Sequence, residues 1–600
     1  MAAVVINGDT SGSVTLQAPA VAGSTVVTLP TTSMNMGTGG GSVATNTAFG
    51  TSALNSNTTG ANGVAIGYQA LTSNTTASNN TAVGYLAGYS NTTGGGFTAL
   101  GYQSGYLYNS PSETWGSAFL GFYTGRNTTT GHDNAFVGGF AGASNTTGNF
   151  NTALGAAALY SNTTASNNTA VGYQAGYTNS TGIQIVAVGT GAMYSSTSSF
   201  GTAVGYQAAY YQTGGYNVAI GNSALYGASG TSTGQYNTAI GTLALQANTT
   251  ASNNTAVGYQ AGYTNSTGAN SVYIGYGAGY SHTGGDSIFI GYNAGNAMTT
   301  GNNNVAIGRA SMFGGASTSG SSNSALGYFT LNNITTGSYN TAIGTYALQA
   351  NTTASNNTAV GYQAGYTNTT GTRLVNIGTY AGYSNSTGTD NVFVGYAAGY
   401  TATGSYNTFV GARNAVGSGC GELVTTGAKN TILGGYNGNQ GGIDIRTASN
   451  YIVLSDGDGN PRLYLSGQGY LFAPQVYNDT GAATANLVVA STGEIYRATS
   501  SLKYKTNVKD ATHGLAEVLK LRAVTYQSKK ESENGIVYGG LIAEEVHAVG
   551  LTEFVQYAED GSPDALSYSN MVSLCIKAIQ ELKADLDATK AELAALKGQA

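Results

Sequence analysis

Carboxylates are scarce in the long uncharged part of this chain. Between Gly50 and Gly434 they are Glu113, Asp133, Asp286, Asp390 and Glu422. Glycoside hydrolysis needs two carboxyl groups flanking the scissile bond. The one spacing that brings two acids close is that of Glu113 and Asp133. Each lies 12 residues after an apolar-Gly step, with His132 beside Asp133. Stacked on one edge, that pair does not flank a substrate. A preference of acids for one exposed turn accounts for all five. Three copies of one acid in a trimer would offer a cation site, but no metal and no cofactor is expected. Asp456-Gly-Asp458-Gly-Asn460 begins like an EF-hand loop, but Pro461 follows where that loop needs Gly. Lying between Tyr451-Ile-Val-Leu and Arg462-Leu-Tyr-Leu, it reads as a hairpin turn. Ser500 and Lys505 hold a nucleophile and a potential base, since desolvation can lower a lysine pKa. By spacing alone, such a pair describes many solvated loops.

The elements that must carry these residues are unusual. Of 600 residues 91 are Gly and 44 Tyr, only 6 are Pro, and 7% are charged. Collagen needs Gly at every third position and abundant Pro. A solvated disordered chain needs charge and few aromatics. A net charge of −6 argues against a nucleic-acid surface. No apolar run reaches the roughly 18 residues of a membrane span. The first ten residues lack the basic and apolar regions of a secretory signal. Cys420 and Cys575 do not make a disulfide framework. Charge concentrates at the end: residues 500–600 hold 11 Lys+Arg and 14 Asp+Glu.

An apolar residue followed by Gly recurs 23 times from Gly50 to Gly434; 14 of the 22 intervals are 17 residues and four more are 16. A larger copy, N-T-T-A-S-N-N-T-A-V-G-Y, begins at Asn74, Asn162, Asn248 and Asn351. Seventeen residues is too short for a helical-pair repeat. The residue three before the Gly is mostly β-branched, and the one just before is Val, Ile, Leu or, once, Phe49. Both therefore point the same way from a short strand. The fold class predicted is mainly β: a long β-solenoid or β-roll of stacked coils, roughly 110 Å at about 4.8 Å per coil. Three chains wound as an interleaved β-prism is the alternative. The Asn-x-Thr/Ser triplets read as turn chemistry rather than glycosylation sites, with Asn adopting left-handed backbone and bonding locally.

Tyrosine recurs one residue after the Gly (Tyr173, Tyr259 and Tyr362 among others) and again five after it (Tyr177, Tyr263, Tyr366). Coil stacking turns these into aromatic ladders. Packing within or between subunits is one use; a stacking surface for sugars, carried by Tyr173, Tyr259 and Tyr362, is the other.

Four motifs follow in order at the end of the chain. They are Ser500-Ser-Leu-Lys-Tyr-Lys505-Thr-Asn-Val508, Tyr538-Gly-Gly-Leu-Ile-Ala-Glu-Glu-Val546, Leu566-Ser-Tyr-Ser-Asn-Met-Val572 and Cys575-Ile-Lys-Ala-Ile-Gln-Glu-Leu-Lys583. This order closely resembles the self-cleaving intramolecular chaperone domain at the end of phage endosialidases and many phage tail fibres. The resemblance covers about the last 100 residues. It implies a small α+β domain that assists trimer assembly and then cuts itself off between Thr499 and Ser500. Ser500 would be the nucleophile and Lys505 its base. Two positions depart from the family's pattern. Ser501 stands where the family has an acid, and Tyr538-Gly539 where many members have His. Separately, Val572, Cys575, Ile579, Leu582, Leu586, Thr589, Leu593 and Leu596 alternate by three and four, a heptad seam for a trimeric coiled coil. A single packing helix is the alternative. Gly12 to Pro30 resembles the β-patterned N-terminal segment of phage tail-fibre-like proteins, with two strands over Val14–Leu16 and Val26–Pro30.

The expected organisation is an N-terminal β segment at 1–33 for virion attachment and a repeat rod at 34–440. A β-rich connector at 441–499, a chaperone domain at 500–570 and a coiled-coil helix at 571–600 follow. The function expected is a homotrimeric tail fibre of the virion, made in the host cytoplasm. It would join the phage tail or baseplate through its N-terminus and contact a host cell-surface glycan or protein. No nucleic acid or membrane insertion is expected. No turnover enzyme is expected either, only a single self-cleavage. A trimeric bacterial adhesin would need a secretory signal and a membrane anchor, and a tailspike depolymerase a carboxylate cluster.

Overall fold

The computed structural model describes residues 36–111, 116–315, 318–474, 505–529, 535–558 and 560–598, together with the strands Thr15–Leu16, Val27–Thr28, Leu487–Val489 and Ile495–Arg497. The chain forms two compact units, Met1–Asp479 and Thr480–Ala600.

The first unit is a single-chain β-solenoid. Twenty-four short strands, from Thr47–Phe49 to Ile452–Ser455, each pair in parallel with the next in the chain. A strand pairs with its successor in the same chain, so the coil is closed by one chain and not by three. The ladder runs one coil past Gly434. Both edges are covered by antiparallel strands, Met36–Gly37 at the start and Pro461–Leu465 at the end. Covering an edge removes the unpaired backbone that would otherwise template further pairing. The expected hairpin at Asp456–Asn460 is the turn between the last solenoid strand and its cover.

The coil around Gly258 shows why the repeat reads as it does. Thr255–Val257 pairs in register with Thr238–Ile240 and Val272–Ile274. Ala256 points into the core and is fully buried, whereas Thr255 and Val257 are only partly covered. The two β-branched positions thus share one side, and that side is the outer one. Gly258 has φ +139°, and a Cβ there would lie 2.4 Å from the Gly275 carbonyl oxygen of the next coil. Conformation and close approach each require Gly at this position.

The core alternates large and small. Where the middle strand residue is aromatic, the position six residues on is Gly, except after Phe409, where the lengthened coil puts Gly421 against the ring instead. Phe136 with Gly142, Tyr273 with Gly279, Phe289 with Gly295 and Phe393 with Gly399 are such pairs, and a Cβ on any of these glycines would meet the ring at 2.2–2.7 Å. Where the middle residue is Ala, a buried Leu often fills the same volume, as in Ala65 with Leu71 and Ala239 with Leu245. Where both positions are small, as in Ala256 with Gly262, adjacent coils fill the space: a Cβ on Gly262 would meet Tyr273 at 2.8 Å and Leu245 at 2.9 Å, so close packing is kept between coils.

Two columns of buried asparagine close the coils. Asn254 Nδ2 and Asn265 Nδ2 both donate to the Gly268 carbonyl, at 2.9 and 2.8 Å. Asn254 Oδ1 accepts the Ser271 N–H of the next coil at 2.9 Å. Asn74, Asn162, Asn248 and Asn351, which open the Asn-Thr-Thr triplets, are buried in the second of these columns. Their burial removes them as glycan acceptors. The left-handed backbone sits elsewhere, at Asn79, Asn167, Asn253 and Asn356.

In the second unit, Val524–Gln527 and Val537–Gly540 form one antiparallel hairpin, and Val555–Tyr557 with Pro563–Leu566 another. A short helix, Ala543–Ala548, and a long one, Tyr568–Gly598, complete it. Val546, Leu551, Phe554, Val555, Met571 and Leu574 make the core. The strands Thr15–Leu16 and Val27–Thr28 pair antiparallel, as the N-terminal pattern predicted.

Candidate functional site

The outer wall of the solenoid carries the aromatic ladders. One residue after the repeat Gly, Tyr259, Tyr276 and Tyr292 stack with centroids 5.2 and 5.1 Å apart. Five residues after it, the run Tyr160, Tyr177, Tyr194, Tyr210 and Tyr226 stacks at 4.8–5.2 Å with planes within 14°. Of the three tyrosines proposed for sugar stacking, Tyr259 lies in a ladder. Tyr173 is 54% exposed and stands between Ala156 and Thr190 in its column. Tyr362 meets Tyr380 edge-on at 5.4 Å. The three do not form one site. A third column, Phe200, Tyr216 and Tyr236, stacks at 4.8 and 5.0 Å on the left-handed turn position. Its members each lie five residues before the next repeat Gly (Gly205, Gly221 and Gly241), a spacing that counting forward from the preceding Gly, at 11, 11 and 15 residues, conceals.

Most of the described acids are held by a neighbour. Asp133 pairs with His132 at 2.7 Å. Asp286 accepts the Asn270 side-chain amide at 3.0 Å. Asp390 takes both Arg373 nitrogens, at 2.6 and 2.8 Å, which holds its carboxyl below the usual range. Glu113 lies outside the described residues, so the stacked pair with Asp133 has no geometry here. Asp456 accepts the Asn460 N–H at 2.8 Å and the Arg462 guanidinium, as a hairpin turn requires. Among the described residues no three His, Cys, Asp or Glu side chains gather as metal ligands, and no helix is long and apolar enough to cross a membrane.

Glu422 is not in the turn where its sequence offset places it. Thr401 N–H bonds the Glu422 carbonyl just as Ser384 N–H bonds that of Tyr400. Glu422 therefore continues the column of Tyr366, Tyr383 and Tyr400. The 23-residue interval from Gly411 to Gly434 carries its extra residues ahead of this point, as a loop through Gly417.

In the second unit the last three of the four expected motifs come together, and the first is described only from Lys505 onward. Gly539–Val546 runs from strand into short helix, and the Tyr568 hydroxyl bonds the Leu541 backbone. The long helix has two different faces. Met571, Leu574 and Ala578 pack inward. Val572, Ile579, Leu582, Leu586, Leu593 and Leu596 are exposed, with Ile579 at 64%. The packing stripe and the heptad seam are therefore separate. Glu581, on the inward side, accepts the Leu515 N–H at 2.7 Å, and this bond with the Lys577 pairing lowers its carboxyl pKa. Lys505 is exposed. Thr499 and Ser500 lie outside the described residues, so the nucleophile–base geometry is not on view.

No curated protein and no solved structure matches the chain. Residues 500–556 match the family described as chaperone of endosialidase. That match, behind a long β-solenoid, is consistent with a tail fibre or tailspike-type protein.

Proposed function

We propose that the protein is a homotrimeric phage tail fibre whose solenoid contacts the host surface and whose terminal domain aligns three chains and then cleaves before Ser500. The observation that carries this reading is the exposed heptad seam on a helix already packed by its other face. A helix that has met its own domain through Met571, Leu574 and Ala578 has no intrachain use for a second apolar stripe. An apolar groove of about 400 Å³, lined by Val518, Leu521, Leu541, Tyr568, Val572 and Cys575 among others, opens beside the first heptad.

The solenoid offers a matching surface. Its outward strand positions make a continuous aliphatic stripe, including Leu154, Ile220, Ile274, Leu326 and Ile377. Three such stripes facing one axis would remove them from water at about 25 cal/mol per Å². Two antiparallel N-terminal strands at Thr15–Leu16 and Val27–Thr28 would sit at the virion end.

Cleavage follows assembly in this reading. A lysine acts as base only when desolvation lowers its pKa. Lys505 is exposed in the single chain, and in this reading the neighbouring chains cover it. Light scattering on the purified protein tests the reading: a trimer is expected, and a stable monomer would contradict it.

A further inference from the structure

The tyrosine column that ends at Glu422 borders a groove of about 560 Å³, within the size range of small-ligand sites. Tyr383 and Tyr400 form one wall, stacked at 4.8 Å with planes 6° apart. Tyr396 forms the other, with the Arg413 guanidinium over its ring at 5.0 Å. Tyr380 stands between them, edge-on to Tyr383, Tyr396 and Tyr400 at 5.9–6.1 Å. Gln363 reaches the same groove from two coils earlier.

Elsewhere on the solenoid Arg126 and Arg309 also lie over column rings, and Arg126 bonds the Gln103 amide, but among the described residues no carboxylate joins either arginine. Here the lengthened coil sets both a guanidinium, Arg413, and a carboxylate, Glu422, beside the rings. Arg413 Nε donates to the Gly417 carbonyl at 2.6 Å, which fixes the loop, and the Glu422 carboxylate accepts the Gly419 N–H. One cation and one anion share the groove, so an ionised ligand gains at one and is repelled at the other. A hydroxyl group donates to a carboxylate and accepts from a guanidinium, so a pair of neighbouring hydroxyls can use both. The flat apolar face of a pyranose suits a phenol ring. We infer that this groove binds a neutral hexose-containing oligosaccharide, its ring on Tyr400 or Tyr396 and its hydroxyls between Arg413 and Glu422. Glu422 is the one carboxylate among the lining residues, so the pair needed to cleave a glycosidic bond is not assembled there. The site binds and does not hydrolyse.

This inference rests on the attachment reading for its role, but its test does not. The purified full-length protein is applied to immobilised neutral gluco-, galacto- and manno-oligosaccharides, with uronic-acid oligosaccharides as a second arm. Binding to at least one neutral sugar is expected. Glu422→Gln keeps an acceptor for the Gly419 N–H and so keeps the loop. It should still weaken binding about tenfold, the scale of one charge-assisted hydrogen bond. Tyr400→Ala should weaken it at least as much, and Tyr339→Ala, at an exposed turn that does not line the groove, should leave it within about twofold. No neutral sugar bound, binding to uronates alone, Glu422→Gln binding as the parent does, or an equal loss in Tyr339→Ala would each overturn the site. Any of these would leave the assembly reading standing, because that is decided by mass.

Discussion

The Tyr568 hydroxyl accepts the Leu541 N–H at 2.7 Å and donates to the Leu541 carbonyl at 3.1 Å. One side chain at the head of the long helix thus grips the strand-to-helix turn of the preceding motif. The grip sets the helix rotation, turning Met571 and Leu574 inward and Val572 and Ile579 outward. Ile579→Asp with Leu586→Asp should therefore abolish trimers and leave the terminal domain folded. Light scattering with circular dichroism checks this: unchanged mass, or loss of helix along with mass, would contradict it.

Cys575 occupies the seam and is exposed, whereas Cys420 is buried and its thiol is pushed up to about 12 by burial. In a trimer three Cys575 thiols meet at one core position. Mild oxidation of the native protein should link two chains through Cys575, seen as a dimer band on a non-reducing gel. Cys575→Ser should remove the band. A native protein that yields only single chains would contradict the seam.

Gly258→Ala meets both a φ of +139° and the Gly275 carbonyl oxygen at 2.4 Å. The backbone strain alone is on the order of 1–3 kcal/mol. Because coils contact only their neighbours, the damage should stay local. Hydrogen exchange should show faster opening of the coils around residues 238–290 and parent-like protection near Gly84. Uniform protection throughout would contradict the packing argument.

His282 replaces asparagine in a buried column, with Nδ1 at 2.9 Å from the Tyr273 hydroxyl and Nε2 at 2.8 Å from the Gly301 carbonyl. Burial depresses its pKa to about 4. The unfolded chain, with an ordinary value near 6.5, binds the proton first. Stability is therefore intact above about pH 6.5 and falls toward pH 4, by about 1.4 kcal/mol per pH unit over that window. His282→Asn should flatten that part of the profile. Thermal melts from pH 7 to 4 compare the two; parallel curves would contradict the assignment.

The repeat was legible because one stereochemical requirement, Gly at a positive-φ close approach, recurs at every repeat Gly except Gly411. Strand position and both tyrosine ladders follow from it. Glu422 was misread for a physical reason. Register across coils is set by backbone hydrogen bonds, not by counting from the last Gly, and an insertion ahead of Glu422 moved it into the Tyr400 column. The pairing of Phe136 with Gly142 was visible as spacing, but its meaning needed the coil's interior. The seam at Val572 and Ile579 was readable; the second stripe at Met571 and Leu574 depended on packing against the Leu515–Val518 helix and the Thr552–Phe554 turn.

Ser500→Ala and Lys505→Ala should each leave a full-length chain that still trimerises, because neither residue belongs to the heptad seam or to the solenoid repeats in the sequence. Cleavage at the same bond in either variant, read by denaturing gel, would remove that residue from the mechanism.

The central claim is that the terminal domain assembles the solenoid and then leaves it. Native mass spectrometry of the purified product measures this directly. Three copies of residues 1–499, with residues 500–600 released, is the predicted result. A single chain, or a trimer still carrying residues 500–600 on every copy, would contradict it.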